Sequence, residues 1–340
     1  MISVKEMNRY LVLLIWLLIF FFNSSALADL DTSGNKNTGI SVGICIDEMK
    51  GDTRYHIGGT VFIPEWDTDL TWESELEFPL DTYLVGIKAS AKGKFLENPY
   101  SLNFSAHKNV SAPWQTMKDS DWLGLPEDGF REKFSYTESD AELNASILDV
   151  NGHLGFPIHP KAVLEGIVGY KLQKFSYEIS GLRGWEITDE GIVYFSEYKG
   201  VNVLDYDVTY RLPYLGVAIK MFPSLYSIFN AEIVFSGVSS NDRDDHILRN
   251  KLSRSNCQGT AFMGGINGCV MLNQKESQIN WFLEFGANFM KISTDGHQEQ
   301  SWYGDDPISE EDDTGTKISG INNKITSKQR TIFILFKGKF

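Results

Sequence analysis

The feature that most constrains this chain is a two-residue alternation of side-chain character that recurs along its length. In the last stretch, Ile332, Ile334, Phe336, Gly338 and Phe340 fall on one face, and Phe333, Leu335, Lys337 and Lys339 on the other. Trp281, Leu283, Phe285, Ala287 and Phe289 alternate with Phe282, Glu284, Gly286 and Asn288. Phe229, Ala231, Ile233 and Phe235 alternate with Asn230, Glu232, Val234 and Ser236. A helix mixes such faces, whereas a strand keeps them apart. Glu232, Glu284 and Asn288 would be costly in the dry core of a secreted β-sandwich, the competing fold. They suit a barrel with apolar side chains on lipid and polar ones in a hydrated lumen. Only a closed barrel pairs every strand edge in lipid. The expected fold is therefore all-β, a transmembrane antiparallel β-barrel of about ten strands with long extracellular loops.

The first residues set the compartment. Lys5 and Arg9 precede an apolar run from Tyr10 to Phe22, then the small-x-small triplet Ala26-Leu27-Ala28. That pattern is a secretory signal peptide over 1–28 with cleavage before Asp29. Its apolar core is short for a membrane span of about 20 residues. Residues 29–340 are left for the barrel, and a Gram-negative outer membrane is the expected location. Short connections near 96–100, 156–160, 222–224 and 273–275 alternate with long polar ones near 63–72, 109–140, 182–203, 240–260 and 294–327. Short periplasmic turns and long external loops alternate in this way.

The formal charge of −14 becomes −15 once Lys5, Glu6 and Arg9 leave with the leader. Such a surface repels nucleic acid and favours cationic peptides or basic protein surfaces. Cys45, Cys257 and Cys269 are too few for a disulfide framework; pairing of Cys257 with Cys269 stays open, and Cys45 reads as a small packed residue. Asp305, Asp306, Glu310, Glu311, Asp312 and Asp313 lack EF-hand spacing and read as a solvated acidic loop.

Two polar stretches carry candidate chemistry. Asp119-Ser-Asp121 lies in the loop expected after the third strand, and Asn241-Asp-Arg-Asp-Asp-His246 in that after the seventh. The barrel would let them face each other across its outer mouth. A histidine oriented by a carboxylate can serve as general base, and a second acidic pair can hold a water or stabilise charge. One histidine among carboxylates is a poor set for a transition metal, and no G-x-S-x-G elbow is present. No metal or organic cofactor is expected.

At these residues the chain resembles the omptins, outer-membrane aspartyl-type endopeptidases built on ten-stranded barrels. The resemblance rests on Lys118-Asp-Ser-Asp-Trp122, Gly169-Tyr-Lys-Leu-Gln-Lys-Phe-Ser-Tyr177, Tyr210-Arg-Leu-Pro-Tyr-Leu-Gly216 and Phe235 to His246. It implies catalytic roles for Asp119, Asp121, Asp244 and His246, and a substrate-pocket role for Asp242, which would receive a basic side chain. Cleavage of extracellular peptides or proteins next to Arg or Lys would follow. It also implies lipopolysaccharide as activator, held on the outer wall by Tyr170, Lys174 and Arg211. Two departures stand out. Thr53 occupies the register of a second pocket acid, with Glu48 and Asp52 nearby, and Leu172 replaces an acid of the lipid-binding motif. An adhesin or invasin with altered catalysis, or a porin, are the alternative functions.

Overall fold

The alternation continues through every strand and closes the sheet on itself. In this computed structural model the described residues are 39–340, excepting 65–66, 126–131, 189–190, 225, 274–278, 308 and 310–311. The leader at 1–28 lies outside them. Twelve strand segments follow in sequence: β1 (Gly39–Ile63), β2 (Thr68–Pro79), β3 (Thr82–Phe95), β4 (Asn98–Asn109), β5 (Met117–Gly124) and β6 (Glu132–His159). The rest are β7 (Ala162–Thr188), β8 (Gly191–Ser224), β9 (Ser227–His246), β10 (Lys251–Met271), β11 (Asn280–Trp302) and β12 (Lys317–Lys339).

These segments make ten staves. β1 pairs with β3 along its first half and with β2 along its second, so β2 and β3 are two halves of one stave. β6 pairs in the same way with β4 and β5. All pairings are antiparallel, and β12 bonds back to β1 from Ser41↔Lys339 to Gly58↔Asn322. At the break between β2 and β3, the Gly51 N–H donates to the Asp81 carboxylate at 3.1 Å, and the Leu80 N–H donates to the Gly51 carbonyl.

Ile44 and Ile46 on β1, Phe235 on β9, Phe285 on β11, and Ile334 and Phe336 on β12 are exposed on the outside. They form the apolar belt that a membrane covers. Their inward neighbours are polar or tightly packed. Level with Tyr206, the cross-strand partner of Asp244, the bore is filled by aromatic rings: Phe78 stacks on Tyr206 with centroids 4.1 Å apart, and Tyr177 and Tyr55 tilt against them. A filled bore does not fit the porin alternative.

The strands run further than hydropathy predicts. Most of 182–203 and 240–260 is strand, and the β9–β10 connection is a single 3₁₀ turn, Ile247–Arg249, closed by Asn250 at φ 49°. Asparagine tolerates that left-handed geometry. The alternation persists above the membrane, but with water on the outside as well, both faces become polar. The hydrophobic signal fades while the pleat continues.

Cys257 and Cys269 do not pair. Both are free and buried, and they share β10. At about 3.3 Å per residue, twelve residues of strand separate them by roughly 40 Å, far beyond disulfide reach.

Candidate active site

β9 places its even-numbered residues inward: Val238, Ser240, Asp242 and Asp244 are all buried, with His246 completing the row. On β5, Asp119 and Asp121 are half-buried and alternate with Ser120, and the charges they feel from Asp244, Lys251 and His246 put both on the inward side. The four acids and the histidine are thus strand residues, not loop residues as the hydropathy suggested. Asp244 lies nine positions beyond Phe235 of the apolar belt. With strands tilted by about 40°, that sets the cleft roughly 20 Å above Phe235, toward the extracellular end of the barrel.

Asp244 is fully buried, and its Oδ2 lies 3.0 Å from Nε2 of His246. Asp121 accepts a hydrogen bond from Ser74, its cross-strand partner on β2. β5 and β9 lie on opposite walls, yet the two acidic sets sense each other. Asp119 feels the charges of Asp121 and Asp244, and Asp121 feels His246. Burial, then the neighbouring charges of Asp121 and Asp244, push the Asp119 carboxyl well above the ordinary aspartate range. Burial raises Asp121 as well. Such a pair favours sharing a proton over carrying two charges. Oδ1 of Asp119, Oδ1 of Asp244 and Oδ2 of Asp242 are buried and accept no hydrogen bond from the protein. Three such oxygens in one cleft are costly to folding and suit a polar or cationic ligand.

Asp242 lies one inward position below Asp244. Ser255 donates to its Oδ1, and Asn323 donates to the Ser255 hydroxyl at 2.7 Å. Burial pushes the Asp242 carboxyl up to about 7, with the Asp244 charge adding to the rise. Tyr55, Tyr206 and Tyr210 lie within range of its charge. On the first strand, Thr53 faces inward, fully buried, and donates to the Ser327 hydroxyl at 3.0 Å. Glu48 pairs with Lys50, and Asp52 with Arg54.

The sequence reading missed three elements. Lys251 is the cross-strand partner of His246 and is buried at the start of β10. Its charge acts on Asp119, Asp121 and Asp244, and burial, then Arg249, lower its own pKa. Asp306 is not a solvated loop acid. It is buried and accepts from Arg249 Nε at 2.9 Å and Nη2 at 2.8 Å, and from Trp302 Nε1, tying the turn after His246 to the last external loop. Lys108 on β4 lies within electrostatic range of Lys174. Residue type alone marks none of them; only the register through β10 would have put Lys251 beside His246.

On the outer wall, Tyr170 is exposed on β7, and Lys174 sits two outward positions further on. Arg211 pairs in register with Leu172 and donates to Asn241. Tyr170, Lys174 and Arg211 therefore share one surface, and Lys108 extends it.

Three comparisons bear on this arrangement. A protein-family model described as Omptin family matches residues 94–288, more than half the chain, and that span includes every cleft residue from Asp119 to Lys251. The plasminogen activator of Yersinia pestis is 25% identical over 241 residues, which cover 69% of this chain and 74% of that protein. The solved outer membrane protease OmpT of Escherichia coli shares the fold. Its TM-score is 0.67 at 15% identity, over 91% of this chain and 99% of that one.

Proposed function

The chain belongs to the omptin family, and from that membership we propose that its cleft hydrolyses peptide bonds next to basic residues, with His246 and Asp244 facing Asp119 and Asp121 across the scissile bond. It is a peptidase of the Gram-negative outer membrane, with its cleft on the extracellular side. The observation that carries the finer reading is the dyad: a fully buried Asp244 bound to His246 at 3.0 Å, within electrostatic range of an aspartate pair whose carboxyls burial raises.

In this reading a water between the two walls attacks the carbonyl carbon and gives its proton to His246. Asp244 orients the ring and stabilises the imidazolium. The proton kept on the Asp119–Asp121 pair donates to the carbonyl oxygen as negative charge develops there. The C–N bond then breaks, and the imidazolium protonates the leaving amine. Asp242 receives the basic side chain. With Thr53 on the facing wall the pocket offers one carboxylate, which favours a single Arg or Lys over an obligatory basic pair. Cationic peptides and surface-exposed proteins are the substrates that the charge of −14 favours. Tyr170, Lys174 and Arg211 would engage lipopolysaccharide phosphate, which would act as activator.

The test is cleavage of Arg-containing reporter peptides by intact cells displaying the protein. Activity lost in His246→Ala and in Asp119→Ala, with surface display unchanged, supports the reading. Equal activity in either variant overturns it, and binding of host proteins without any cleavage would favour an adhesin.

A further inference from the structure

Below the cleft, three strands align Cys45, Gly86 and His107 in one row. Cys45 on β1 pairs with Gly86 on β3, and Gly86 pairs with His107 on β4. The glycine is what lets the outer two meet. A Cβ at position 86 would lie 2.8 Å from Cγ and 2.9 Å from Nδ1 of His107, so only glycine leaves room for the imidazole to lie back over the strand. The ring spans the gap, and Nδ1 reaches 2.7 Å from Oδ2 of Asp47 and 3.9 Å from Sγ of Cys45. Asp47 and Cys45 share the inward face of β1, and both are buried. One ligand atom from each of the three residues lies within 4.8 Å of the other two.

We propose that Cys45, Asp47 and His107 form a zinc site in the lumenal wall of the barrel. A second feature of the trio points to a ligand: Oδ1 of Asp47 is buried and accepts no hydrogen bond from the protein, although the residue is only 4% exposed. The donor set fits zinc, which takes thiolate sulfur, imidazole nitrogen and carboxylate oxygen together; calcium and magnesium prefer oxygen alone. In tetrahedral zinc the nitrogen and oxygen ligands lie about 3.4 Å apart, and nitrogen and sulfur about 3.6 Å. The trio brackets both values and needs only side-chain adjustments to meet them. A proton on the Nδ1···Oδ2 contact now occupies the line along which the metal would bind. Zinc would displace that proton and the thiol proton, and both would leave to solvent. A cavity of about 340 Å³ is lined by Asp47 and His107, which gives the ion a route in and leaves a fourth position for water. The consequence is mechanical: the ion would tie β1 to β4 across β3, on the staves that continue upward toward the site of Asp119 and Asp121. The expectation of no metal came from the cleft, where one histidine stands among carboxylates. This trio lies elsewhere, and its members are distant in sequence.

The experiment uses the folded full-length barrel in detergent, titrated with Co²⁺ as a spectroscopic substitute and then with Zn²⁺. The expected result is one equivalent of Co²⁺ with a thiolate-to-cobalt charge-transfer band that Zn²⁺ abolishes. The band should persist in the Cys257→Ser/Cys269→Ser double variant, whose only thiol is Cys45, and in His246→Ala, which lies outside the trio. It should vanish in Cys45→Ser and weaken in His107→Gln. Zinc should also raise the unfolding temperature of the double variant. Absence of the band in the folded wild type or in the double variant overturns the proposal, whatever the folding of the single variants, as does a band that survives in Cys45→Ser.

Discussion

Oδ2 of Asp244 lies 3.0 Å from Nε2 of His246, two residues along one strand and on its inward face. With Nε2 engaged, Nδ1 is the nitrogen left to take a proton from water. His246→Ala should lower kcat about a thousandfold, within the range for loss of a general base, with little change in KM. Asp244→Asn keeps the shape but cannot stabilise the imidazolium, and should lower kcat by a factor on the order of a hundred or more. Initial rates on a reporter peptide, with the mobility of the folded barrel on unheated gels as control, measure both.

Asp242 predicts a pH-dependent pocket. Its carboxyl is pushed up to about 7, so it is mostly protonated at pH 6 and mostly ionised at pH 8. Only the ionised form attracts a cationic side chain fully, and KM for an Arg substrate should therefore fall as pH rises through about 7. The expected change is roughly tenfold between pH 6 and 8, following the ionised fraction. Asp242→Asn should raise KM for Arg and flatten this dependence while leaving kcat within a few fold. A pH series of KM on Arg and neutral-residue peptides separates the pocket from the dyad.

The barrel was legible from the sequence because lipid makes the alternation hydrophobic on one face only, as at Ile332 to Phe340. Residue type singled out Asp119, Asp121, Asp242, Asp244 and His246, and the barrel brings the two acidic stretches within electrostatic range of each other. Their setting was not legible, because strands above the membrane have water outside and polar groups inside, and polar alternation reads as loop. Lys251 could not be found from composition: its role comes from pairing with His246 across a tight turn that the sequence presented as a long loop. Asp306 was misread for the same reason, since an acid in an acidic loop looks solvated until Arg249 is brought against it.

The same raised carboxyls predict how stability depends on pH. Asp119, Asp121 and Asp242 bind protons more tightly in the folded barrel than in the unfolded chain. Between about pH 4, where an unfolded aspartate titrates, and about 7, the folded state holds more protons, so stability falls as pH rises. Asp242→Asn removes one of these protonation differences. It should flatten the slope and stabilise the protein at pH 8 by up to about 4 kcal/mol, the free-energy equivalent of that rise. Urea unfolding of the barrel in lipid vesicles at pH 5, 6.5 and 8 gives the slopes; a slope of opposite sign would show that ion pairs outweigh these acids.

The outer-wall basic residues predict lipid dependence. Lys174 and Arg211 project from β7 and β8 on the outside, and Lys108 lies within electrostatic range of Lys174. If they engage phosphate, Lys174→Ala and Arg211→Ala should raise the lipopolysaccharide concentration for half-maximal activity several-fold and leave the rate at saturating lipid nearly unchanged. Each exposed charge–phosphate contact is worth on the order of 1 kcal/mol, and added salt should weaken it. Titrating purified protein with lipopolysaccharide measures the shift, and identical curves for wild type and both variants would remove these residues from lipid binding.

Lys251 carries the last prediction because its effect on the cleft has a sign. Its ammonium lowers the pKa of both Asp119 and Asp121, opposing the burial that raises them. Without it the pair would hold its proton, and any second one, to higher pH. Lys251→Met keeps a long side chain at the position and removes the charge. If catalysis needs one of the two aspartates ionised, the acid limb of kcat/KM should move to higher pH by about one unit, with most activity recovered at alkaline pH. A side chain that only filled space would lower activity equally at every pH or not at all. A pH profile of kcat/KM for wild type and Lys251→Met therefore separates an electrostatic role from a packing one, and an unshifted acid limb assigns Lys251 to packing.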